Sequence, residues 1–92
     1  MIRSFRCKDT QALFEGANPR RFRAFKDAAI RKLSQLDAAH TLDFLRSPPG
    51  NSLEALKHDR RGQHSIRINQ QWRLCFTWTS GGPEAVEIVD YH

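Results

Sequence analysis

Hydrophobic residues in the first half of the chain recur at helical spacing. Five of them follow one another at intervals of three and four: Phe22, Phe25, Ala29, Leu33 and Leu36. This spacing predicts a helix with one apolar face, and Pro19 fits its first turn. Upstream, residues 2–6 alternate loosely and predict a short strand. Asp9 and Thr10 are candidate N-terminal caps of a short helix that Gly16 ends.

In the second half of the chain, hydrophobic and polar residues alternate with a period of two. A loop at 47–51, with two prolines and a glycine, separates the two patterns. Strands are predicted at 53–57, around 66–68, along 72–78 and from 86 onward, with a charged turn at 58–62. Helices followed by an antiparallel meander predict a two-layer α+β domain, in which N-terminal helices pack on a small sheet. A chain of 92 residues supports one such core, so 1–92 is predicted to be a single domain.

Alternation along the predicted strands places three polar residues on one face. If Ile66 and Leu74 face the helices, Arg67, Asn69 and Arg73 point away from them. An antiparallel sheet can leave one face in solvent, so the pattern favours a cationic groove there. The alternative is that Arg67 forms a cross-strand ion pair with Glu87 or Asp90.

The basic residues are concentrated in two blocks. Residues 1–36 hold nine Lys and Arg against three acids, and residues 46–73 hold six against two, whereas 74–92 hold no basic residue and three acids. Arginine outnumbers lysine eleven to four, which favours bidentate contacts with phosphate or carboxylate. Two basic blocks indicate a polyanionic partner, either nucleic acid or an acidic protein surface. The alternative is that they are solvated faces that keep a small protein in solution.

Several classes of protein are excluded. No apolar run approaches the roughly 20 residues of a membrane span, and charges within residues 1–16 interrupt any signal-peptide core. Two cysteines form neither a disulfide framework nor zinc-ligand spacing, and the histidines show no metal-binding spacing. Phosphate-binding glycine loops are absent too. We expect a cytoplasmic protein with no metal, no cofactor and no membrane association.

The remaining candidate residues suit the cleavage of RNA without a metal. They are Lys57, Arg67, Arg73, Asp90, Tyr91 and His92. When a 2′-hydroxyl attacks the adjacent phosphate, the reaction needs a base, an acid and fixed positive charge, which histidine, lysine and arginine supply. The alternative is that His92 is an ordinary surface residue and Tyr91 an ordinary residue of the sheet.

The second half of the chain also resembles a known family. Residues 65–76 read S-I-R-I-N-Q-Q-W-R-L-C-F and residues 86–92 read V-E-I-V-D-Y-H. Together with the opening M-I-R-S-F and the R-S-P-P-G-N segment at 46–51, they resemble the HigB branch of the RelE-type bacterial toxins over nearly the whole chain. The resemblance implies a type II toxin–antitoxin system whose toxin is a metal-free endoribonuclease that cuts translated mRNA in the ribosomal A site.

The resemblance also implies roles for individual residues. Arg73 matches the phosphate-stabilising arginine of the family, His92 its proton-transfer residue and Lys57 a basic catalytic residue. Residues at five further positions are implied to contact RNA: Arg67, Asn69, Gln71, Asp90 and Tyr91. Some relatives have His-Pro-Leu where this chain has Glu54-Ala55-Leu56, so one family histidine is replaced by an acid. Slower cleavage, or greater reliance on Lys57 and His92, is the expected consequence.

The implied partner is a helix-turn-helix antitoxin of the HigA type, through which alone the toxin would contact operator DNA. The basic block at 20–26 is a candidate surface for that antitoxin or for ribosomal RNA. Two other functions remain open from the residues alone. One is a non-catalytic RNA- or ribosome-binding inhibitor of translation, and the other is an interaction domain for an acidic protein.

Overall fold

The predicted α+β architecture is confirmed. A computed structural model describes residues 1–90 of the chain. Its helices are α1 (Lys8–Phe14) and α2 (Lys26–Ala38), and its strands are β1 (Glu54–Ala55), β2 (His64–Arg67), β3 (Trp72–Thr79) and β4 (Gly82–Asp90). Four short 3-10 turns complete the described elements, at Arg20–Phe25, Asp43–Arg46, Pro49–Asn51 and His58–Arg60. No helix within these residues is long and apolar enough to cross a bilayer.

The four strands form one antiparallel sheet in the order β1-β2-β3-β4. The helices cover one face, where Ile66, Leu74 and Ile88 lie side by side across β2, β3 and β4. Leu33 and Leu36 of α2 pack in the same buried cluster, as their spacing predicts. The hydrophobic pattern therefore identified both layers of the core.

The N-terminal segment is not a strand, contrary to the prediction. It makes one parallel bridge to β4, between Phe5 and Val86, supported by hydrogen bonds from Val86 N to Ser4 O and from Arg6 N to Val86 O. Ala85 of β4 has a positive φ of 52°, and the β3–β4 register shifts nearby. A bulge interrupts the regular row of donors and acceptors along an edge, so the pairing is confined to one position.

The beginnings of both predicted helices need correction. Cys7 precedes α1, and Thr10 lies inside the helix rather than capping it. The Thr10 hydroxyl is buried and accepts a hydrogen bond from Ile88 N at 3.0 Å, so it joins α1 to β4. Gly16 follows α1 with a φ of 106°, as a helix-ending glycine should. Pro19 precedes the 3-10 turn Arg20–Phe25, and α2 begins only afterwards.

The strand predicted at 53–57 is only two residues long, Glu54–Ala55. The chain then turns through His58–Arg60 and crosses the sheet face opposite the helices. Arg60 from this turn reaches Glu87 on β4, and Ser65 and Cys75 beneath are buried. The face that the sequence predicts to be open is thus partly covered.

Candidate active site

Arg67 and Arg73 lie directly opposite each other on β2 and β3. Paired residues of an antiparallel ladder point to the same face, so the predicted placement of both arginines away from the helices is confirmed. The neighbouring row on this face contains Ser65, Cys75 and Glu87. Two cations are therefore adjacent beside a row of polar side chains.

Arg73 is held in place by hydrogen bonds rather than projecting into solvent. Its side chain is only 13% exposed. The Nε atom donates to Ser65 Oγ at 2.7 Å, and Nη2 donates to Ser52 O at 2.6 Å. A guanidinium has five N–H donors, and none of the bonds made within residues 1–90 uses Nη1. Arg73 therefore has a fixed orientation and a donor pair available for a ligand.

Ser52 owes its contact with Arg73 to an unusual backbone conformation. Its φ of 45° and ψ of 54° lie in the left-handed region, which serine rarely adopts. Neither Ser52 nor Ser65 is a predicted site residue. Ser65 shares strand parity with Arg67, a signal that could have identified it. Ser52 contributes its backbone carbonyl oxygen, and a pattern of side chains in the sequence cannot predict such a contact.

Two carboxylates from outside the basic run at 60–73 lie on this face. Glu54 Oε1 is 3.8 Å from Arg73 Nε, and the Glu54 side chain is 52% exposed. Glu87 binds Arg60 at 2.9 Å, and that hydrogen bond raises the pKa of Arg60. The positive charge of the face is therefore reduced at two points.

Arg67 forms neither of the ion pairs that the sequence suggested as the alternative. Its Nε donates instead to Asn69 O at 3.1 Å, while Glu87 is bound by Arg60. Arg67 is half-buried and points to the same face as Arg73. Its charge thus has no carboxylate partner among the described residues.

Asn69, Gln71 and Asp90 occupy one corner of the sheet. Asn69 Oδ1 accepts hydrogen bonds from the backbone N–H groups of Gln71 and Trp72, both at 2.8 Å, which shapes the turn between β2 and β3. Gln71 Nε2 donates to Asp90 Oδ2 at 2.9 Å. Gln71 and Asp90 are exposed and lie together, whereas the Asn69 oxygen is already used.

Lys57 is exposed and immediately precedes the turn His58–Arg60. Inside the described range, no hydrogen bond or ion pair joins Lys57 to Arg67 or Arg73. Tyr91 and His92 lie outside the described residues. The structure thus brings the two arginines together, and Gln71 with Asp90. Among residues 1–90, no hydrogen bond or ion pair joins the Lys57 side chain to these groups.

Cys75 lies beside the arginines but has no nucleophilic character. It is fully buried, and burial raises the pKa of its thiol to about 11. The thiol is therefore protonated at neutral pH. Cys75 is thus a small core residue, whereas Cys7 is half-buried.

Two clefts formed by the described residues lie away from Arg73. A cleft of about 340 Å³ lies between His40 and Trp78, and one of about 500 Å³ lies along residues 23–31. Neither is lined by Arg67 or Arg73. Across residues 1–90, no group of three or more His, Cys, Asp or Glu side chains could hold a metal ion. Arg67 and Arg73 thus lie outside both clefts, on the partly covered face of the sheet.

Comparison with known proteins identifies the family. Residues 3–92 match the model of the HigB-like toxins, described as RelE-like toxins of type II toxin–antitoxin systems. Toxin HigB-1 of Vibrio cholerae is 47% identical over 58 residues, which cover 63% of this chain and 61% of that protein. A Haemophilus influenzae protein named as uncharacterized is 42% identical over 48 residues, 52% of this chain and 48% of its own length.

A third relative matches over its full length. The protein named Endoribonuclease HigB from Proteus vulgaris is 31% identical over 93 aligned positions, which cover 100% of both chains. The matches to the other two relatives span about half to three fifths of their lengths. With its residues 3–92 matched, this chain belongs to the HigB-like family of RelE-like toxins from type II toxin–antitoxin systems.

Proposed function

We propose that this toxin is an endoribonuclease that cleaves translated mRNA on the ribosome without a metal ion. The arrangement of Arg73 carries the proposal, because Ser52 and Ser65 fix its guanidinium beside Arg67 while Nη1 takes part in none of the hydrogen bonds among residues 1–90. Fixed cations stabilise the charge that develops on a phosphorane. Membership of the toxin family and the full-length relative named as an endoribonuclease support the same activity.

The chemistry is an internal displacement at phosphorus. The 2′-oxygen forms a bond to the adjacent phosphorus while the bond from phosphorus to the 5′-oxygen breaks. A general base takes the proton of the 2′-hydroxyl and a general acid delivers a proton to the departing 5′-oxygen, which gives a 2′,3′-cyclic phosphate and a 5′-hydroxyl end. The substrate supplies its own nucleophile, so the residues need to supply only proton transfer and positive charge.

Each candidate residue has a place in this reaction. His92 transfers a proton, and Arg73 and Lys57 supply positive charge at the phosphate. Arg67, Asn69, Gln71, Asp90 and Tyr91 contact the RNA. Since Asn69 Oδ1 already binds two backbone N–H groups, Asn69 presents its side-chain NH₂ to the ligand. Glu54 opposes binding of a phosphate because its carboxylate lies 3.8 Å from Arg73 Nε.

An antitoxin partner follows from membership of a type II toxin–antitoxin family. We further propose that this antitoxin is a HigA-like helix-turn-helix protein and that operator DNA is contacted only through the complex. The site of action is the ribosome with mRNA in its A site, in the cytoplasm. Residues 1–92 act as one toxin domain.

The test is to map new 5′ ends on an mRNA incubated with the purified toxin, with and without translating ribosomes. We expect ends that depend on ribosomes, carry a 5′-hydroxyl and disappear with Arg73→Ala. Arg46→Ala is the matched control, because Arg46 is exposed and, among residues 1–90, forms an ion pair only with Asp43 on a surface turn. A circular dichroism melt of each variant separates lost chemistry from lost structure.

Two outcomes would contradict the proposal. Arrested translation without new ends would indicate a non-catalytic ribosome-binding inhibitor, and its inhibition should weaken steeply as salt rises. Cleavage of free mRNA at the same rate as mRNA on ribosomes would remove the requirement for the ribosome.

A further inference from the structure

Asn51 is a completely buried polar residue at the end of the turn Pro49–Asn51. Its Nδ2 donates to Gln35 Oε1 at 3.1 Å and to Leu45 O at 3.2 Å. Its Oδ1 accepts a hydrogen bond from Lys32 Nζ. Buried amides are retained where their hydrogen bonds are satisfied, and this one joins α2 to the loop that follows residue 45.

Lys32 is the buried residue that holds Asn51 from the helix side. It is only 9% exposed, whereas lysine is almost never buried without a charged partner. Among the ion pairs of residues 1–90 none includes Lys32, and Asn51 is its hydrogen-bond partner. Burial, and then the charge of Arg31, lower the pKa of its ammonium group. A buried cation without a counter-ion costs stability, and the hydrogen bond that Lys32 donates to Asn51 offsets part of this cost.

The peptide next to Asn51 holds Arg73. Ser52 follows Asn51 directly and accepts a hydrogen bond from Arg73 Nη2 at 2.6 Å through its carbonyl oxygen. Its left-handed conformation is strained for serine. Such a conformation persists only where the surrounding structure fixes it. Asn51 provides that fixation on the N-terminal side of Ser52.

We propose that Asn51 and Lys32 are positioning residues for Arg73. Lys32 fixes Asn51, Asn51 fixes Ser52, and the Ser52 carbonyl holds the guanidinium in the orientation that presents Nη1 to a phosphate. Both side chains are buried and act through Ser52 without touching RNA. The expected effect on the cleavage rate rests on the role proposed above for Arg73. The expected effect on the orientation of its guanidinium does not depend on that role.

The first measurement is single-turnover cleavage on programmed ribosomes by Asn51→Ala and Lys32→Met. We expect the rate constant at saturation to fall by up to about 100-fold, because small displacements of a catalytic group reduce rates by that order. The ribosome concentration that gives half-saturation should stay unchanged. Leu13→Ala is the control, since Leu13 is buried in α1 and contributes only packing. It should lower Tm and leave the rate unchanged.

The second measurement needs no activity. Nitrogen-15 NMR of the Arg73 Nη2–H group, which donates to Ser52 O, reports how firmly Ser52 holds the guanidinium, through the exchange of these protons with solvent. We expect exchange in Asn51→Ala and Lys32→Met to be at least about tenfold faster than in the wild type, and unchanged in Leu13→Ala. Lys32→Met carries the test if Asn51→Ala fails to fold, because it preserves the bonds that Asn51 Nδ2 makes.

The two measurements separate the possible failures. An Arg73 signal that is unaltered in the folded variants, or equally altered in Leu13→Ala, would overturn the positioning role. If the wild type cuts no RNA while the Arg73 signal changes as expected, the proposed function fails and the positioning of Arg73 stands.

Discussion

The two faces of the sheet are built from alternate residues of the same strands, but different interactions hold them. On the helix side, Ile66, Leu74 and Ile88 are buried by contact with other apolar side chains. On the opposite side, Ser65 and Arg73 are held by directional hydrogen bonds, and ion pairs with Glu54 and Glu87 lie beside them. The helix side is stabilised by hydrophobic burial, and the opposite side by hydrogen bonds and ion pairs.

The two faces therefore contribute differently to stability and to function. Hydrophobic burial is non-directional and depends on the apolar area removed from water, so the helix side contributes mainly stability. Hydrogen bonds fix direction, so the opposite side can hold a charged group in one orientation. Substitutions at neighbouring positions of one strand should therefore separate the two properties.

The largest effect is expected from Arg73→Ala. Removing the fixed cation should lower the single-turnover cleavage rate by about 100-fold or more, because charge stabilisation at a developing anion is of that order. Ser65 Oγ, which is buried, loses its donor, so a loss of stability of about 1–3 kcal/mol should accompany it. An unchanged rate in the folded variant would remove Arg73 from the chemistry.

Leu74→Ala tests the adjacent position on the helix side. Leu74 is fully buried, so truncation should lower the free energy of unfolding by about 2–5 kcal/mol. The cleavage rate per folded molecule should stay the same at temperatures well below Tm. Denaturant unfolding beside the single-turnover assay measures both quantities. A rate as low as that of Arg73→Ala would break the proposed division between the faces.

Cys75, on the arginine side of the sheet, makes the stability of the folded protein depend on pH in the alkaline range. Its folded pKa is raised from 9.0 to about 11. Between these values the unfolded chain loses the proton first, so stability falls as pH rises through that window and is greatest below pH 9. A shift of this size corresponds to about 3 kcal/mol. Melts from pH 8 to 11 should show this decline in the wild type and a smaller one in Cys75→Ala; identical slopes would contradict the assignment.

The smallest effect is expected at Glu54. Its carboxylate is half-exposed and 3.8 Å from Arg73 Nε, and exposed pairs of this kind contribute up to about 1 kcal/mol. Glu54→Gln should therefore raise the cleavage rate by no more than about fivefold. Glu54→His, which restores the histidine of related toxins, should raise it further. If neither variant changed the rate on ribosomes, this position would not limit the chemistry.

Strand parity predicted more of the fold and site than any other feature of the sequence. It placed Ile66 and Leu74 in the core and Arg67 beside Arg73, because side chains alternate strictly along a strand. Parity does not report what covers a face. The position of the turn His58–Arg60 decides that Arg60 reaches Glu87 and partly covers this face. That turn has no periodic pattern from which its position could be predicted.

Single polar residues were predicted less well than patterns. Thr10 was expected to cap a helix, but it lies inside α1 and binds Ile88 N from another layer. Asn51 was placed in a loop, yet it is fully buried and joined to Lys32. A side-chain hydroxyl or amide can form its hydrogen bonds with neighbouring residues of the chain or with residues of a distant element. The sequence does not indicate which of these partners it has.

The sequence by itself determined the two-layer architecture, the apolar side of each layer and the family to which the toxin belongs. Periodicity and motif are local properties of the chain, and hydrophobic burial acts on them without requiring specific partners. The tertiary structure alone decided how Arg73 is held, through the left-handed Ser52 and the buried Ser65. Hydrogen bonds between residues far apart in the chain require atoms placed to within a few tenths of an ångström, and only the completed packing of both layers places them.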